Sequence, residues 1–158
     1  LAELFPNAQF VHLNRHPGDF VRSAMRRSFY NNNIEDLKRI EPVANTLEAE
    51  KWQNFTNIEK NAWLWNETNA FIEIFKETIP KERFWYYNFS ENTFEQLSAL
   101  LEFLKIDISE TRIKGLIGNR KNIQKKGSFA DYKNWSGHDK KELLQACGNL
   151  TEKYGYKL

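Results

Sequence analysis

The chain has 158 residues, 41% hydrophobic and 28% charged, with a formal net charge of +2. That length suits one hydrophobic core, so a single domain over 1–158 is expected, and the composition excludes a disordered or fibrous chain. So small a net charge gives no electrostatic case for nucleic-acid binding; an anion site has to come from local clustering of basic residues.

The one cysteine, Cys147, excludes an internal disulfide, and its neighbours Leu143, Leu144, Ala146 and Leu150 place it in a core. No apolar run reaches the roughly 18–20 residues of a membrane span, and no signal-peptide pattern opens the chain. A soluble protein with no membrane span in this segment is therefore expected, cytoplasmic or, as the alternative, in the Golgi lumen. Asn-x-Ser/Thr triplets at Asn54, Asn66, Asn88, Asn134 and Asn149 would be glycan acceptors in a lumenal protein. Asparagine is abundant here, and Asn54 and Asn66 fall in a helical stretch, which favours coincidence.

In chain order, Leu1 to Pro6 reads as the last turn of a helix halted by proline, so the sequence has the look of a fragment that begins inside an element. Gln9 to Asn14 is short, apolar and β-branched at its centre, which suits a buried strand. Arg15-His16-Pro17-Gly18-Asp19 breaks it. From Asp19 the residues Phe20, Val21, Ala24, Met25 and Phe29 recur at helical spacing, with Asp19 or Gly18 as N-cap.

Asn31 to Asn33 is a break, 34–44 is weakly helical, and a polar link follows near Asn45. Trp52 to Ile79 reads as one long amphipathic helix stopped by Pro80. Arg83 to Asn88 is an aromatic strand, and Thr93 to Leu104 a helix striped by Phe94, Leu97, Leu101 and Leu104. Glu110 to Ile117 is a short helix, 118–135 an irregular basic segment, and Gly137 to Tyr154 a final helix with Gly155 at C′. The pattern is that of an α/β protein, mostly helical, with parallel strands flanked by helices. Two strands make a marginal sheet, so further strands are expected upstream of Leu1.

In open α/β sheets ligands bind beyond the carboxyl ends of the strands, where Arg15 to Ser23 falls. Arg15 leaves the strand, and Ser23 lies in the first turns of a helix whose free N–H groups favour an anion. A guanidinium offers forked, charge-assisted bonds to phosphate and the hydroxyl one more donor. Arg22, Arg26 and Arg27 add positive potential, with Asp19 alone opposing. The bland alternatives are a guanidinium paired with a structural carboxylate and a locally satisfied serine. A second basic cluster, Asn119 to Gly127, includes Arg120, Lys121, Lys125 and Lys126; its own alternative is a solvated loop.

Taken together these segments resemble a known family. Phe5-Pro6-Asn7-Ala8-Gln9-Phe10-Val11-His12-Leu13-Asn14-Arg15-His16-Pro17-Gly18-Asp19 is similar to the segment F-P-(D/N)-A-K-F-(I/V)-x-(L/x)-x-R-(D/H/N)-P-x-D of sulfotransferases that use 3'-phosphoadenosine 5'-phosphosulfate (PAPS). The resemblance implies that Arg15, and Ser23 eight positions later, bind the 3'-phosphate. Tyr86-Tyr87-Asn88-Phe89 looks like the family's Y-E-D-L strand end and nominates Tyr86 to face the adenine, although Tyr87 and Asn88 stand where two acids are usual. Lys125-Lys126-Gly127, with Asp131-Tyr132-Lys133 after it, resembles the R-K-G-x-x-x-D-W-K loop that closes over the 3'-phosphate, with Lys125 a weaker fork than arginine.

The resemblance spans nearly the whole chain and implies a partial P-loop-like three-layer fold, with PAPS or its product 3',5'-adenosine bisphosphate as the bound nucleotide. A small-molecule or glycan acceptor would be the other partner. The family's 5'-phosphosulfate loop is missing: Gly115-Leu-Ile-Gly118-Asn-Arg lacks the G-x-x-x-x-G-K-(S/T) spacing. No catalytic residue is therefore assigned here, and the chain alone is expected to be inactive. His12, His16 and His138 read as core, loop and helix-start residues, and no third ligand completes a metal site. Trp52, Trp63 and Trp65 read as core rather than pocket lining. Two alternatives stand beside this reading: a non-catalytic remnant that binds a nucleotide or a partner, and a single-strand nucleic-acid binder, against which the core spacing of the aromatics counts.

Overall fold

A computed structural model describes residues 2–32, 34–118, 128–147 and 149–157. It is mixed α/β and mostly helical. Strand β1 (Phe10–Asn14) pairs in parallel with β2 (Phe84–Asn88), Phe10 facing Phe84 and Asn14 facing Asn88. Between them lie α1 (Pro17–Met25), α2 (Leu47–Lys51) and α3 (Asn57–Lys76); after them come α4 (Phe94–Phe103), α5 (Glu110–Gly118), α6 (Gly137–Cys147) and α7 (Leu150–Lys153). The described residues form two compact units, one drawn from 1–15 and 72–123, the other from 16–71 and 124–158.

In the first unit the sheet has helix on both faces. The last turn of α3 sets Phe75 edge-on to Phe10 at 5.0 Å, and α4 brings Phe103 against Trp85 at 5.3 Å. The burial of β1 departs from the expected apolar strand. His12 and Asn14 are buried, while Val11 and Leu13, pointing the opposite way, are 37% and 61% exposed. On that face α4 packs on β2, with Phe103 on Trp85, while Val11 and Leu13 beside it stay exposed. His12 is a core residue, its ring 5.4 Å from Tyr86 and 6.2 Å from Phe84. The expected helical turn at the start is a plain turn over residues 2–4, and Arg83 fastens this stretch by donating to Ala8 O and Phe5 O at 2.8 Å each.

The second unit is built around Val21, Ile58, Ala62, Trp65, Trp135, Leu143, Cys147 and Tyr156. A smaller cluster joins Tyr30, Trp52 and Trp63, so all three tryptophans of 52–65 are core residues. The expected single helix from Trp52 to Ile79 is divided. Trp52–Asn54 is a 3-10 turn and α3 begins at Asn57, because Thr56 and Glu59 form a capping box: Glu59 N–H donates to Thr56 Oγ1 at 3.2 Å and Thr56 N–H to Glu59 Oε2 at 2.8 Å. The helix also stops at Lys76, short of Ile79. The final helix is likewise two, α6 and α7. Gly155 ends α7 at φ 74°, with Gly155 N–H donating to Glu152 O and Tyr156 N–H to Thr151 O, a Schellman motif.

Cys147 is fully buried, its Sγ 3.8 Å from Ala62 O, and burial pushes its thiol up to about 12. The thiol is therefore protonated and inaccessible in the native state. Ellman's reagent at pH 8 should leave the folded chain unlabelled and titrate one thiol after denaturation; prompt native labelling would place Cys147 elsewhere.

Residues 34–44 hold a 3-10 turn, Ile34–Lys38, rather than a weak α-helix. Asp36 Oδ1 accepts from Tyr30 N–H at 2.8 Å and from Arg39 Nε at 2.9 Å, and Tyr30 Oη donates to Ile40 O at 2.6 Å. Burial raises the Tyr30 phenol to about 12, against the opposing pull of Arg39. A phenol whose pKa is raised on folding contributes stability that is whole below its ordinary value of 10.0 and is lost as pH climbs towards about 12. Alkaline unfolding in that window should accordingly be blunted by Tyr30→Phe, as followed by circular dichroism.

Candidate functional site

The strand-end residues come first. β1 and β2 run parallel, so their carboxyl ends, Asn14 and Asn88, lie side by side, and Arg15 leaves the sheet directly after Asn14. The chain after β2 is turned tightly: Phe89 N–H donates to Asn14 O at 2.7 Å, and Ser90 N–H to Asn88 Oδ1 at 3.0 Å. Tyr87 is buried and donates from Oη to Asn92 Oδ1 at 2.6 Å, and burial raises its phenol, so it is a structural residue. Tyr86 points to the opposite face and is 36% exposed, with its ring edge-on to His12. Arg15 is partly buried. Arg15 and Tyr86 thus belong to one unit.

Ser23 belongs to the other unit, at the seventh residue of α1, partly exposed. The N-cap of α1 is His16, neither Asp19 nor Gly18: its Nδ1 accepts from Gly18 N–H at 3.1 Å. Pro17 occupies N1, the place where its fixed φ and missing N–H cost nothing. Asp19 and Phe20 N–H both reach His16 O at 3.0 Å. The expectation of free N–H groups at this helix start is therefore corrected. The caps consume them, and an anion near α1 has to be held by side chains.

The start of α1 is locked to the segment 128–135. An ideal Cβ on Gly18 would stand 2.4 Å from Cδ2 and 2.6 Å from Cγ of Tyr132, so the phenol ring lies directly on the glycine backbone. His16 packs on the same ring at 4.8 Å. One turn on, Arg22 Nε donates to Phe129 O at 3.2 Å and a terminal nitrogen stands 3.1 Å from Asp131 Oδ1. Trp135 Nε1 closes the segment by donating to Ala130 O at 2.9 Å. Asp131 is thus a second acid opposing the basic face of α1, besides Asp19.

Of the predicted site residues, Arg15 and Tyr86 are grouped, Ser23 sits with Arg22 and Arg26 in its own unit, and Lys125, Lys126 and Gly127 lie outside the described residues. The sequence reading missed His16 as a cap and Tyr132 as the partner of Gly18. The first had a signal in His16-Pro17, since proline at N1 marks the residue before it as the cap; the second had none. Among the described residues no cluster of His, Cys, Asp and Glu could hold a metal ion, and no helix is long and apolar enough to cross a membrane. No protein-family model matches the chain, and neither a curated protein nor a solved structure matches it.

Proposed function

We propose that this chain is the nucleotide-gripping part of a PAPS-dependent sulfotransferase, with a partial P-loop-like three-layer fold. The observation that carries the reading is Arg15 directly past the carboxyl end of β1, with Tyr86 exposed on the parallel partner strand. That is where α/β sheets take ligands, and a guanidinium and an aromatic face are what a 3'-phosphate and an adenine require. In this reading Arg15 binds the 3'-phosphate and Tyr86 faces the adenine; the resemblance nominates Ser23, Lys125, Lys126 and Gly127 as the further phosphate contacts.

The residues fit the group as side-chain donors. His16 has taken the helix-start N–H groups, so the phosphate depends on Arg15, the Ser23 hydroxyl and the lysines rather than on a helix terminus. In the complete enzyme the sulfonyl group would pass in line to an acceptor hydroxyl or amine: the S–O bond to the nucleotide's 5'-phosphate breaks, a bond to the acceptor forms, and 3',5'-adenosine bisphosphate leaves. This chain's share is to hold and orient the nucleotide. The acceptor's proton and the charge on the bridging oxygen fall to groups outside the segments that carry the resemblance.

Tyr86 provides the test. Titrating 3',5'-adenosine bisphosphate into a polypeptide carrying residues 1–158 should give saturable binding that Tyr86→Ala weakens roughly ten-fold, the worth of about 1–3 kcal/mol for one base stacked on a ring. Saturable binding that Tyr86→Ala leaves unchanged would remove the adenine assignment, and no binding at all would remove the function.

A further inference from the structure

The basic face of α1 has a use that the nucleotide reading leaves open. Arg22, Arg26, Ser128, Phe129 and Ala130 line a cleft of about 460 Å³, all within one unit. No carboxylate is among the described residues that line it. Arg22 is fixed in its wall, Nε on Phe129 O and a terminal nitrogen on Asp131 Oδ1, so two of its five donors hold the segment in place. Arg26, one helical turn further along α1, brings a second guanidinium to the same cleft, and Ser128, next to Phe129, brings a hydroxyl-bearing residue to its lining.

We propose that this cleft binds a tetrahedral oxyanion, a phosphate or sulfate group, distinct from the one assigned to Arg15 and Ser23. Arg26 and Ser128 contact the anion. Arg22 is a positioning residue, which sets the cleft's width by tying Phe129 and Asp131 to α1. A forked guanidinium together with a hydroxyl is the donor set that such an anion takes, and the open mouth suits a group carried on a larger molecule.

The test is inorganic sulfate titrated into the full chain at constant ionic strength, followed by amide chemical shifts. The shifts of Arg22 to Arg26 and Ser128 to Ala130 should saturate together. Arg26→Gln should weaken binding at least five-fold and Ser128→Ala about two- to three-fold, while Lys38→Gln, away from the cleft, should leave it unchanged. Repeating the titration with saturating 3',5'-adenosine bisphosphate separates the sources. Loss of the sulfate response identifies a phosphate of the nucleotide as the natural occupant, and persistence identifies an anion on another molecule. Because the sulfate titration needs no nucleotide, it stands even if the bisphosphate fails to bind. Shifts that are scattered and do not saturate, or unchanged affinity in both Arg26→Gln and Ser128→Ala, would overturn the proposal.

Discussion

Replacing Gly18 by alanine is expected to lower the melting temperature by several degrees. The new Cβ would meet Cδ2, Cγ and Cβ of Tyr132 at 2.4, 2.6 and 2.9 Å, and the last of these is the root of the side chain, which cannot swing clear by changing a rotamer. Tyr132 is held besides by the rings of His16 and Trp135. Forcing one carbon into such a contact costs about 1–3 kcal/mol, or about 2–4 °C for each kcal/mol in a chain of this size. The paired variant makes the cause specific. With Tyr132→Gly in place all three atoms that the added methyl would meet are gone, so Gly18→Ala should then cost much less, and the double-mutant cycle should be strongly non-additive. Additive losses in the thermal melts would mean that Gly18 is needed for something other than this ring.

Arg15→Ala should weaken binding of 3',5'-adenosine bisphosphate about 10- to 100-fold, since hydrogen bonds from a charged donor are worth about 1.5–3 kcal/mol. Arg15→Lys should recover only part of the loss, because an ammonium restores the charge and not the fork. Ser23→Ala should cost less, about five-fold, the worth of one neutral hydrogen bond of about 1 kcal/mol. Equilibrium dissociation constants for the three variants check the ranking. A stability control belongs beside them, because Arg15 joins β1 to the capped start of α1. Equal melting temperatures together with unequal affinities are the expected pattern.

Much of the fold was legible in the sequence because its punctuation is strong. Pro80 and the aromatic run after it set β2, Thr93 and the leucine stripe set α4, and Gly155 ends the last helix in the left-handed conformation anticipated for it. The errors have local causes. Apolar residues at helical spacing run unbroken through 52–79, yet the Thr56–Glu59 capping box restarts the helix, and a backbone cap overrides side-chain periodicity. For β1, an apolar composition implied a strand buried on both faces, whereas burial follows what packs above each face, and nothing local to Val11 or Leu13 reveals that.

The candidate site was legible where chemistry and position coincide in one short segment. Arg15 after a strand is readable from the sequence alone. Arg22 on Phe129 O and Tyr132 on Gly18 are not, because each joins residues more than a hundred positions apart and carries no pattern in the chain. The helix start shows the converse. Pro17 marked the cap, and a histidine in that place turned a presumed anion-binding terminus into a closed one.

The central claim is recognition of a 3'-phosphate by this chain. Calorimetric titration of the chain with 3',5'-adenosine bisphosphate and with 5'-adenosine monophosphate, which differ by that phosphate alone, tests it most directly. The account predicts one-to-one binding of the bisphosphate at least ten-fold tighter than the monophosphate, with the preference abolished by Arg15→Ala. Equal affinity for the two nucleotides, or a preference that survives Arg15→Ala, would contradict it.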